Sequence, residues 1–91
     1  MPQQEKAIRI TVAGKQHYLK FDELSAKDAK DFRHETGSSL ATVFLEGTVD
    51  LDIIAGLLWL ERRKTNPKVT YDSIASTLTY GTEIEVHDGD D

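Results

Sequence analysis

Cysteine is absent from this chain, which excludes disulfides, zinc-thiolate sites and cysteine nucleophiles. A secretory leader is not expected either, because Met1 to Lys6 is polar and leads into a strand-like segment instead of an apolar run. The most apolar stretch, Leu51 to Leu60, is about half the ~20 residues that a membrane helix needs. These absences point to a soluble cytosolic protein without a membrane partner. Positive charge is not in excess. Residues 1–81 hold eleven basic and eleven acidic side chains, so the net charge of −5 comes wholly from Glu83, Glu85, Asp88, Asp90 and Asp91. Neither the balance nor the acidic end favours nucleic acid. The one basic patch, Arg62, Arg63, Lys64 and Lys68, is explained by helix-end chemistry and a polar turn.

Patterns that carry catalysis are missing as well. His17, His34 and His87 lie in three separate segments, and each reads as a surface residue. His34-Glu35 lacks the second histidine that a zincin helix places on the same face. Gly37-Ser38-Ser39 is not a nucleophile elbow, and no glycine-rich loop precedes a Lys-Ser or Lys-Thr pair. Carboxylate pairs such as Asp28 and Asp31, or Asp50 and Asp52, fall at helix starts, where their charge has a structural reason. No catalytic, cofactor-binding or metal-ligating residue is therefore assigned, and the chain reads as a non-enzyme.

What the sequence does have is Leu51 to Lys64, LDIIAGLLWLERRK, with eight apolar residues among its first ten. Asp50 can cap a helix here, Arg62, Arg63 and Lys64 suit its C-terminal end, and Asn66-Pro67 stops it. At about 100° per residue the apolar side chains cover more than half the circumference, whereas an amphipathic helix needs a stripe of only about 100°. The surplus must be covered by other segments of this chain or by another molecule. Trp59, beside Arg62 and Arg63, reads equally as an interface anchor or as a core tryptophan under the N-terminal strands.

The remaining elements follow from period and caps. Ile8, Ile10 and Val12 alternate with Arg9 and Thr11, and Leu19 and Phe21 share a face after Gly14, which predicts a β-hairpin over about 7–21. Ser25 to Asp28 resembles a capping box opening a helix over 25–36 that stops at Gly37. Leu40, Val43 and Phe44 predict a short helix over 39–46, the central helix spans 50–65, and Ile74, Ala75 and Leu78 predict another over 71–80. The expected class is α+β: a hairpin packed on three to four helices in one globular domain over 1–81. Residues 82–91 form an acidic tail, where Thr82 to Val86 alternates like a short strand but is equally compatible with disorder. A domain of this size buries about 60–65% of the surface its unfolded chain exposes, so modest stability is expected.

The order of parts, with Asp50-Leu-Asp-Ile-Ile-Ala-Gly-Leu-Leu-Trp-Leu-Glu-Arg-Arg63 followed by Val69-Thr-Tyr-Asp72, resembles the small tail assembly chaperones of long-tailed phages that infect actinobacteria. The likeness covers roughly residues 7–80. It implies a protein of the host cell cytoplasm that binds the long, mostly helical tape measure protein and helps tail tube subunits assemble around it. It also implies departure before the tail is finished. Members are often made in two lengths through a translational frameshift. If a partner covers the central helix, Ile53, Leu57, Trp59, Leu60, Arg62 and Arg63 are the expected partner-binding residues. The alternative is a permanent virion component, such as a minor capsid, decoration or tail accessory protein, that contacts capsid or tail subunits. Self-association is a third way to cover the helix, since two copies could bury each other's arcs.

Overall fold

The structure is a computed structural model that describes residues 7–47 and 49–88. It is an α+β fold in the order β1 (Ala7–Val12), β2 (Lys15–Lys20), a 3-10 turn (Phe21–Glu23), α1 (Ala26–Thr36), α2 (Leu40–Glu46), α3 (Leu51–Arg62), α4 (Tyr71–Ala75) and β3 (Ile84–Asp88). The strands form one antiparallel sheet in the order β2-β1-β3. The hairpin turn has positive φ at both Ala13 (50°) and Gly14 (85°), the geometry of a two-residue turn whose twist matches the strands.

One face of the sheet is the core face. Ile8 lies opposite Leu19 and Ile10 opposite His17, and all four are buried. From the other side Val86 and Ile84 lie opposite Ile10 and Val12, half-buried against the same cluster. The stretch whose sequence was equally compatible with strand or disorder is thus strand over 84–88, and residues 89–91 lie outside the described residues. Pairing with β1 supplies the partner backbone that alternation in five residues cannot show by itself.

Local signals place the helices. Ser25 and Asp28 form the reciprocal capping box, with the Asp28 amide donating to Ser25 Oγ at 3.1 Å and the Ser25 amide donating to Asp28 Oδ2 at 3.0 Å. Asp50 accepts from the Leu51 amide at 2.7 Å, and Thr70 Oγ1 from the Ser73 amide at 3.1 Å. Two helices end earlier than their apolar pattern suggests. α3 stops at Arg62, before 65, and α4 stops at Ala75, before 80. Beyond Ala75 the Thr77 hydroxyl donates to the Ile74 carbonyl at 2.7 Å, a local bond that competes with helix continuation. Leu78 still reaches the core from the loop.

α3 lies at the centre, against α1, α4 and β2. Its crossing with α1 is close because Gly56 faces Phe32 and Thr36. Covered on these sides, α3 buries Ile53, Ile54, Ala55, Gly56, Leu57, Leu58 and Leu60 within the single chain. The surplus of apolar surface is covered by the chain's own segments. No helix among the described residues is long and apolar enough to cross a membrane.

Candidate functional site

The residues expected to meet a partner separate into two groups. Ile53, Leu57 and Leu60 are 6%, 0% and 1% exposed, so they offer no surface in this fold and belong to the core. Trp59 is half-buried and packs against the core cluster. Its indole N–H donates to the Val69 carbonyl at 3.1 Å, and Tyr71 meets it edge-on with ring centroids 6.2 Å apart. Arg62 is exposed at the end of α3. Arg63 is turned inward.

Arg63 joins α3 to α1. Its guanidinium carbon sits 4.7 Å from the Trp59 ring centroid, Nη1 donates to Asp31 Oδ2 at 2.9 Å, and Nη2 donates to Asp28 Oδ1. Burial works to raise the Asp28 carboxyl, but the Arg63 hydrogen bond, the Ser25 amide and the Arg63 charge outweigh it and hold Asp28 below the ordinary carboxylate value. Asp31 is lowered chiefly by its hydrogen bond from Arg63. Burial likewise opposes the Arg63 charge, and the two aspartates overcome it, so the guanidinium is raised. The three groups form a structural clamp that ties α3 to α1.

A different face provides an open cavity. A groove of about 760 Å³ runs between the 3-10 turn, α1 and α2. Phe21, Leu24 and Leu40 supply its apolar lining, and Phe21 is braced from behind by Phe44, with ring centroids 4.9 Å apart. The wall from α1 is Ala26, Ala29, Lys30 and Arg33, a spacing of 0, 3, 4 and 7 that lines one helical face. Alanine at the first two positions leaves the space that a larger side chain would fill. Ala41 completes the lining from α2, and Leu45, four residues on along the same helical face, is 64% exposed. Lys27 is held by Asp31 at 3.4 Å, but Lys30 and Arg33 form no ion pair among the described residues. The groove is therefore apolar within and mainly cationic along its α1 rim, with Asp22 on the 3-10 turn.

Sequence reasoning missed this site because it looked for surplus apolar residues. The signal that was available is the opposite: a helix whose core face is thin and whose neighbouring face carries Ala26 and Ala29 beside Lys30 and Arg33. His17 was missed too. Expected at the surface, it is 8% exposed, because His17 alternates in phase with Leu19 on the core face, and its Nδ1 lies 3.0 Å from Glu61 Oε1. Among the described residues no group of three or more His, Asp or Glu is placed to hold a metal ion.

Comparison with known proteins identifies no relative: no family model matches the chain, no curated protein matches it significantly, and no solved structure does so.

Proposed function

We propose that this chain is a non-enzymatic phage tail assembly chaperone, acting in the host cell cytoplasm, that holds an apolar helical segment of the tape measure protein while tail tube subunits assemble. The observation that carries the reading is the groove between α1 and α2. A half-open apolar trough flanked by a hydrophilic rim suits a helix laid in by its apolar face, and it suits reversible holding better than a sealed pocket would. The resemblance of residues 7–80 to such chaperones supports the same reading. The groove replaces Ile53, Leu57 and Leu60 as the docking surface, since those side chains are committed to the fold.

Co-expression with the tape measure protein tests the proposal. Improved solubility of that protein and its co-purification with the chain are expected, and both are lost in Ala29→Asp. Unchanged solubility with no co-purification overturns it.

The second reading, a permanent virion component, draws on the outer edges of β2 and β3, which have no neighbouring strand among the described residues. Lys15 and Lys20 on β2 and Glu83 and Glu85 at β3 place charge along those edges, as natural sheets do to discourage strand addition. That chemistry favours the chaperone. Mass spectrometry of purified particles separates the two, since a chaperone is absent from them and a structural protein is present in many copies.

A further inference from the structure

The charges of α1 are divided unevenly between its faces. The helix has three carboxylates and three lysine or arginine side chains, and the carboxylates are engaged away from the groove. Asp28 and Asp31 accept from Arg63 of α3, Asp31 also holds Lys27, and Glu35 is close enough to Tyr71 of α4 to help raise its hydroxyl, after burial and Asp52. Lys30 and Arg33 are left at the groove.

Nothing nearby in the chain answers these two cations. The helical neighbours of Lys30 are Ala26, Lys27, Arg33 and His34, and those of Arg33 are Ala29, Lys30, Thr36 and Gly37, so no carboxylate stands three or four positions from either. Asp22 is the one carboxylate that lines the groove, and it pairs with neither among the described residues. Two exposed like charges side by side oppose the helix that carries them. They therefore gain from a counter-charge brought by whatever fills the trough.

The shape of the trough narrows what that is. Its α1 wall from Ala26 to Arg33 runs about 10 Å at ~1.5 Å per residue, or about two helical turns. A helix laid along it seats about two or three apolar side chains spaced i, i+3 or i+4, and i+7. Two cations are too few for a nucleic-acid backbone, whose binders neutralise about six to ten phosphates. A concave trough also withholds its apolar side chains from a flat bilayer surface.

We infer that the groove selects an amphipathic helix whose apolar stripe is flanked, on the side facing α1, by Asp or Glu. Phe21, Leu24, Leu40 and the exposed Ala26, Ala29 and Ala41 take the stripe, while Lys30 and Arg33 pair with the acidic flank. This rests on the groove being the docking surface proposed above and adds the chemistry of the segment that it accepts.

The test uses two synthetic helical peptides of about five turns with one Leu stripe and identical outer faces, one with Glu beside the stripe and one with Lys, each titrated by fluorescence anisotropy into the whole chain. The Glu peptide is expected to bind with a Kd of about 10–100 µM, about 5- to 20-fold tighter than the Lys peptide, at low salt. The chain's net charge of −5 favours the Lys peptide, so this preference can come only from the local rim. It should shrink to about 2-fold or less in ~1 M salt. The double variant Lys30→Glu with Arg33→Glu should reverse it while the melting temperature changes little, because both side chains are exposed. Ala29→Asp should weaken the Glu peptide at least about 10-fold.

Equal binding of the two peptides, both lost in Ala29→Asp, overturns the acidic flank and leaves the groove as a docking surface. Failure of both peptides, with the tape measure protein also failing to co-purify, overturns the inference and the chaperone reading together. A lipid anion is the occupant, and the inference is overturned, if dodecanoate binds and the Glu peptide does not. Dimerisation that Ala29→Asp abolishes, with neither peptide bound, assigns the groove to a second copy and overturns it equally.

Discussion

Gly56 of α3 lies against the ring of Phe32 in α1: a Cβ placed on Gly56 would stand 2.7 Å from Phe32 Cε1 and 2.8 Å from Thr36 Cγ2. Phe32 is fully buried and Thr36 is tied to the Phe32 carbonyl at 2.8 Å, so neither can step aside cheaply. The absence of one carbon sets how closely the two helices cross.

Gly56→Ala tests that contact. Helix propensity alone would favour alanine by about 1 kcal/mol, and overpacking costs about 1–3 kcal/mol. With Phe32 immobile, the clash wins, and a melting temperature lower by several degrees is expected in thermal unfolding. Adding Phe32→Leu should make the alanine less harmful than it is alone, a coupling that a double-mutant cycle reads directly.

The Arg63 clamp has a pH signature. Asp28 and Asp31 titrate below the ordinary value of 3.8 in the fold, so the stability they contribute is fully present above that value and is lost as pH falls through their folded values. Arg63→Leu removes the main cause. Its melting temperature should lie below that of the parent at pH 7, and the gap should narrow as pH falls below about 4. Asp50 is lowered by the Leu51 amide and by Tyr80, contacts that both proteins keep, so it cancels in the comparison.

Leu57→Ala separates core from interface. Fully buried on α3, Leu57 should cost about 2–5 kcal/mol of stability in the isolated chain, measured by denaturant unfolding. A stability loss well under that range would mean that the side chain is not sealed in the monomer.

Ala29→Asp and Ala41→Asp probe the groove without touching the core. Both positions are exposed on helices, so the fold should change by about 0.5 kcal/mol or less, while capture of an apolar helical partner should drop at least about tenfold. Melting curves beside a pull-down with the tape measure protein check the two halves.

Ala13 holds a left-handed φ of 50° without being glycine. Ala13→Asn suits the hairpin turn better and should stabilise by about 0.5–1 kcal/mol, a rise of a few degrees in melting temperature.

The sequence by itself determined what depends on near neighbours in the chain. Ser25 with Asp28, Asp50 with Leu51 and the alternation from Ala7 to Val12 placed three helix or strand starts, because caps and side-chain period are set within a few residues. It also marked Leu51 to Leu60 as wanting burial. Tertiary structure alone decided what buries it: Phe32 from α1, the sheet and Ile74 from α4 reach α3 from segments far apart in sequence, and counting apolar positions on one helix cannot count its neighbours. The same holds for β3, whose strand needs β1 beside it, and for His17, which meets Glu61 across 44 positions. The groove under Lys30 and Arg33 arises from packing too, since a hollow exists only where three elements meet without filling the space between them.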